Sequence, residues 1–248
     1  RWISSSKIEC EAPPHAVGEV SVELTTNGVD YTSNGVLFKY LPEVEVTSVT
    51  PAAGVVSGGT AVQVLGSGFL FSQKLLCRFG LQSVPAAYVS ETELTCVSPL
   101  SSEVGLVDVS VTTNGVDYSS SAVKFEYRGL AKVQSVGPDS GPREGGTVVS
   151  VQGSGFVNSG SLLCRFGEAA TVAAVYVSST KVECASPAVT AEGAVSVEVS
   201  NNGADFTSDS VPFLYQSRAV LRAVSPLSGP VDGNTLLTVH GYNFVDSD

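Results

Sequence analysis

The sequence predicts an all-β protein made of tandem antiparallel β-sandwiches in a linear array. Three observations predict it. Motifs return with a period of about 87 residues, as from Gly66 to Gly153, which marks a string of domains rather than a solenoid of hairpins. Apolar and polar residues alternate in short runs, the pattern of a strand with one buried face. Turn residues interrupt the chain roughly every 8 to 12 positions, and no long stretch has a helical period.

The repeat defines the units. "GSGF" at Gly66 to Phe69 returns at Gly153 to Phe156, and as "GYNF" at Gly241 to Phe244. "LLCRFG" at Leu75 to Gly80 returns at Leu162 to Gly167. Cys10, Cys96 and Cys184 share one slot, each followed three residues later by a proline (Pro13, Pro99, Pro187). Tyr40, Tyr127 and Tyr215 close each unit, and Pro51, Pro138 and Pro226 open the next. The chain therefore reads as the C-terminal half of one unit (1–42), two whole units (43–129 and 130–217) and the N-terminal part of a fourth (218–248).

The strands follow from the alternation. Val20, Val22 and Leu24 alternate with Glu19, Ser21 and Glu23; Val107, Val109 and Val111 with Asp108 and Ser110; Val195, Val197 and Val199 with Ser196 and Glu198. The pair Val62 and Val64 matches Val149 and Val151, then Leu237 and Val239. Between units the spacing is fixed: six positions separate Tyr40 from Val46, Tyr127 from Val133, and Tyr215 from Leu221. No Gly/Ser tract intervenes, so little slack is expected and each joint should have a similar, semi-rigid twist.

A short phrase recurs near the end of each unit: "TTNGVDYTS" from Thr25, "TTNGVDYSS" from Thr112 and "SNNGADFTS" from Ser200. The pairs Asn27–Gly28, Asn114–Gly115 and Asn202–Gly203 read as hairpin turns in which both residues accept positive φ. Asp30, Asp117 and Asp205, two positions after each glycine, are expected to end the turn and keep it wet.

The five cysteines fit the repeat. Cys77 and Cys96 are 19 apart, and Cys164 and Cys184 are 20 apart, in equivalent slots. The simplest pairing is Cys77–Cys96 and Cys164–Cys184, with the partner of Cys10 upstream of the fragment. Neither a clustered zinc set nor a redox C-x-x-C is present. Disulfides imply an oxidising, extracellular or cell-surface setting.

Composition bounds the function classes. Of 248 residues, 43% are hydrophobic and 15% charged, which excludes a disordered acidic tail. The net charge of −11 leaves no basic footprint for nucleic acid. No apolar run reaches the roughly 18 residues of a transmembrane segment in this fragment. The Arg1 start reads as the edge of a fragment or a processed product.

The run "VTSVTPAAGVVSGGTAVQVLGSGF", then "CRFG", "ELTCVSP" and "VSVTTNGVDYSSSAVKFEY", resembles the IPT/TIG domain (immunoglobulin-like, plexin, transcription factor). The resemblance covers essentially the whole chain as tandem copies. It implies immunoglobulin-like sandwiches of the E-set-like type, and a non-enzymatic module for spacing, adhesion or protein contact. The paired cysteines resemble the extracellular branch.

Catalytic and ligand chemistry find little footing. His15 and His240 occupy slots that are not histidine in the other units, and no base–nucleophile set accompanies them. "GSGF" is read as a tight turn, since no helix follows it. Single acids, one per unit and without a D-x-D partner, are poor calcium ligands, and "DSD" at Asp246 to Asp248 is the one such pair. Arg78 and Arg165 are read as surface ion-pair formers or as part of a solvated strand face, and Tyr88 and Tyr176 as structural. The expectation is a structural or adhesive surface protein: a spacer, stalk or filament component without enzymatic activity or cofactor. Its partners would be other protein chains or copies of itself, met through domain faces and edge strands. A ligand-binding receptor ectodomain and a carbohydrate-binding surface protein are the alternatives.

Overall fold

A computed structural model describes residues 1–168 and 170–245. In the first stretch, β1 (Trp2–Ser4) pairs with β2 (Lys7–Ile8), and β3 (Gly18–Ser21) pairs with β4 (Leu37–Tyr40). Next come β5 (Glu45–Thr50), β6 (Ala53–Val55), β7 (Ala61–Ser67), β8 (Leu76–Phe79), β9 (Gln82–Ser90), β10 (Glu93–Val97), β11 (Gly105–Thr112) and β12 (Lys124–Arg128). The same eight are repeated as β13 (Lys132–Gly137), β14 (Ser140–Pro142), β15 (Val148–Ser154), β16 (Leu163–Phe166), β17 (Ala170–Ser178), β18 (Lys181–Ala185), β19 (Gly193–Ser200) and β20 (Val211–Gln216). Finally β21 (Val220–Ser225) pairs with β22 (Thr238–Tyr242).

Hydrogen bonds join β5–β12 in the order β5-β7-β10-β9-β8-β11-β12-β6, and β13–β20 in the corresponding order. Each set closes into a sandwich because one long strand changes partner halfway. Gln82 to Pro85 of β9 pair with β8, whereas Ala86 to Ser90 pair with β10. β5, β7 and β10 therefore form one layer, and β8, β11, β12 and β6 the other. The inward residues of both layers interdigitate, as in aligned sheet packing. Val62, Val64, Leu94, Val109, Val111 and Phe125 are fully buried, with Phe79 edge-on to Phe125 at 5.2 Å. Val149, Val151, Val182, Val197 and Phe213 are fully buried in the second sandwich.

The bonded pairs Cys77–Cys96 and Cys164–Cys184 cross from one layer to the other, with Cα–Cα distances of 6.4 and 6.3 Å. Cys77 lies on β8 and Cys96 on β10, strands that never pair directly, so the cross-link ties the layers where no backbone ladder does. Cys10 is exposed and unpaired among the described residues.

Two sequence signals meet in space. Tyr127 donates to Pro99 O at 2.9 Å, Tyr215 to Pro187 O at 2.9 Å, and Tyr40 to Pro13 O at 2.8 Å. The closing tyrosine and the proline after each second-slot cysteine are thus one tie. Within residues 1–42, Val22, Leu24 and Phe38 are exposed although their counterparts Val109, Val111 and Phe125 are fully buried. The layer that covers those counterparts, β5–β7–β10, has no full equivalent in that stretch.

The "GSGF" turn divides its labour between its two glycines. Gly66 has ordinary φ, but a Cβ there would lie 2.0 Å from Glu45 O and 2.7 Å from the Phe69 ring. Gly68 holds φ +74, as Gly155 holds +73, and in "GYNF" Asn243 takes φ +58 at the same slot. Asparagine is among the few residues that tolerate this region. Close backbone approach accounts for the first glycine; positive φ accounts for the second, where a Cβ would also lie 2.2 Å from Glu43 O.

Candidate functional site

The recurrent Asn-Gly phrase forms the tip of the β11–β12 hairpin and of its β19–β20 copy. It is not the two-residue turn expected from sequence. Only Gly28, Gly115 and Gly203 have positive φ, at +79, +80 and +78; the preceding asparagines do not. Side chains shape the tip instead. Thr112 Oγ1 accepts from Gly115 N at 3.0 Å, and Asn114 Oδ1 accepts from Val116 N and Asp117 N, both at 2.9 Å. Asn114 Nδ2 then donates to Asp117 Oδ2 at 2.7 Å. Asn27 with Asp30, and Asn202 with Asp205, repeat this bond at 2.7 Å. The acid is therefore the partner that holds the asparagine amide, a role the turn reading missed.

The tip is braced by its own sandwich. Arg78 lies with its guanidinium carbon 3.9 Å from the Tyr118 ring centroid, and its Nε donates to Ser110 Oγ at 3.1 Å. Arg165 stacks 4.4 Å over Phe206. Among the described residues neither arginine forms an ion pair, so the surface-pair reading gives way to cation–π stacking. The hairpin folds back over strand positions that alternation assigned to solvent. Ser110, Thr112, Glu198 and Ser200 are buried. The Glu198 carboxylate accepts from Thr207 Oγ1, from Asp209 N at 3.2 Å and from Ser210 N at 2.8 Å. Asp209 Oδ2 in turn accepts from Val133 N at 2.6 Å, which anchors the first strand of that sandwich.

At the junction of the two sandwiches the tip touches its neighbour. Asn202 Nδ2 donates to Ala53 O at 2.8 Å, and Thr60 Oγ1 donates to Asp205 Oδ2 at 2.7 Å. Gly54, Arg128, Leu130, Asn202, Asp205 and Phe206 help line a cavity of about 40 Å³ there, room for a few waters at most. The equivalent residues Leu41, Glu43, Asn114, Asp117 and Tyr118 line a cleft of about 500 Å³ between residues 1–42 and the first sandwich. The linker and tip residues recur at both joints, whereas Gly54 has no counterpart in the lining of the first.

The remaining candidates stay apart. His15 stacks on Tyr40 at 5.0 Å with Nδ1 against Ala16 O at 2.8 Å, and His240 lies on exposed β22. Among the described residues no three His, Cys, Asp or Glu side chains gather as a metal site. Asp246–Asp248 lies outside the described residues. Tyr88 packs against the core, and exposed Phe71 stands edge-on to it at 6.1 Å.

The sequence model of the IPT/TIG domain matches residues 1–40, 45–127 and 131–215. Human Fibrocystin-L is 28% identical over 202 residues, covering 80% of this chain and 5% of that protein. Plexin-2 of Caenorhabditis briggsae is 33% identical over 141 residues, covering 56% of this chain and 8% of that protein. The chain thus spans under a tenth of the length of these relatives. Among solved structures, the full extracellular region of Plexin A4 superposes with a TM-score of 0.51 at 18% identity, over 80% of this chain and 18% of that one.

Proposed function

This chain belongs to the IPT/TIG domain family, and from that premise we propose that it is a semi-rigid segment of an extracellular or cell-surface array, serving as spacer or stalk. Its units are 1–42, 43–129, 130–217 and 218–248. The observation that carries the reading is the junction itself: two side-chain hydrogen bonds bridge consecutive sandwiches across a linker without slack. A chain built to swing would solvate these groups separately. The layer-crossing cysteine pairs support an oxidising compartment. Its role is structural rather than catalytic, with partners met through sandwich faces or through other copies of the chain.

Small-angle scattering of the full chain tests this. A single elongated conformation is expected; a profile that requires a broad ensemble of interdomain angles overturns it. A ligand-binding ectodomain is the second reading, favoured by the likeness in fold to the Plexin A4 extracellular region.

A further inference from the structure

The contacts at the junction belong to elements that recur along the chain, each present three times among the described residues. Thr60 is fully buried, its backbone N donates to Ser98 Oγ at 3.2 Å, and its hydroxyl sits where a Cβ on Gly54 would be, 2.3 Å away. Only glycine leaves that space. The arrangement recurs as Gly141 with Thr147 and Gly229 with Thr235, both at 2.4 Å. Ser140 stands in the place of Ala53, on β14 as Ala53 is on β6. Thr147 is half-buried, where Thr60, bonded to Asp205 of the next unit's tip, is fully buried. On the other side, all three Asn-Gly-x-Asp tips share one internally bonded geometry.

We infer that the Asn-Gly-x-Asp tip and the Gly/Thr face are the two halves of a repeated clasp, in which the tip of each unit locks onto the face of the unit before it. The inference rests on the spacer reading and names its hardware. The face of Ser140, Gly141 and Thr147 is continuous in kind with the occupied interface at Ala53, Gly54 and Thr60. Its occupant is an Asn-Gly-x-Asp tip of another IPT/TIG unit. Recognition is chemically specific: a carboxylate accepts from a threonine hydroxyl, while a carboxamide held by that same carboxylate donates to a strand carbonyl. The acid serves both bonds, since Asp205 Oδ2 also holds Asn202 Nδ2 at 2.7 Å. Both halves are formed in advance, so closing the clasp orders little. Two hydrogen bonds are few for free association. The short linker raises the effective concentration to roughly millimolar and makes the contact one between tethered neighbours.

Distances between spin labels placed in residues 43–129 and 130–217 of the full chain test this. Wild type should give one narrow distribution. Thr60→Val, which leaves the tip intact, and Asp205→Ala should each broaden it at least twofold, and the double variant should be no broader than either single one. Thr147→Val should leave it unchanged while melting like wild type. A narrow, wild-type distribution in both Thr60→Val and Asp205→Ala overturns the clasp and leaves the spacer reading standing. A broad distribution in wild type overturns the spacer reading itself.

Discussion

The Tyr127 hydroxyl donates to the carbonyl oxygen of Pro99 across 2.9 Å, bridging the last strand of one layer to the segment leaving the other. The phenol is almost wholly enclosed, and burial pushes its pKa from 10.0 up to about 12. Burial also raises that of Tyr215, against a smaller opposing effect of a hydrogen bond with Ser186. A raised folded-state pKa favours the neutral phenol. The stability it contributes is complete below pH 10 and is lost as pH rises through about 12. Thermal melts between these limits should show the loss, and Tyr127→Phe should flatten it. At neutral pH that variant should cost about 1 kcal/mol, the net worth of one hydrogen bond.

Reduction should weaken each sandwich separately. Cys77–Cys96 and Cys164–Cys184 close segments of 19 and 20 residues, and the chain-entropy argument assigns such a cross-link about 3 kcal/mol. Denaturant melts with and without reductant should differ by that amount. Cys77→Ala should reproduce the effect in the first sandwich alone.

Gly66→Ala should be among the most damaging single-methyl changes. The added carbon would meet Glu45 O at 2.0 Å, and that carbonyl belongs to the strand paired with β7. Backbone cannot yield there without breaking the β5–β7 ladder, so a loss of about 3 kcal/mol is expected. Gly153→Ala meets Lys132 O at 2.0 Å and should behave alike. Chemical denaturation of the two variants checks both.

Glu198→Ala should destabilise the second sandwich by about 2–3 kcal/mol. It removes the acceptor of Thr207 Oγ1, Asp209 N and Ser210 N, and so leaves donors in the hairpin tip without partners. Hydrogen exchange should accelerate at Ser210 and, through Asp209, at Val133. The first sandwich, which carries Ser110 at that slot, should be unaffected.

Much of the fold was legible because its signals are local and repeated. Val62, Val64, Val109 and Val111 announced themselves by alternation, and all four are fully buried. Ser110 and Glu198 were misassigned to solvent for the same reason that the method works: alternation reports one layer's pleat and knows nothing of a hairpin tip folding over the outer face. The Asn-Gly phrase does not make the two-residue turn that its residues suggest, since only its glycine has positive φ. Its shape comes from Thr112, Asn114 and Asp117 side chains rather than from two left-handed residues.

By itself the sequence determined the unit length, the strand pattern and the family, since period and alternation are properties of the chain read one residue after another. Only the tertiary structure decided what the repeated residues are for. Thr60 and Asp205 are 145 residues apart, and Asp205 reads as turn chemistry within its own unit. Their meeting depends on how two folded sandwiches abut, a rigid-body relation set by linker length and surface shape. No local pattern encodes that relation, because the period shows which residues recur and not which of them meet across a joint.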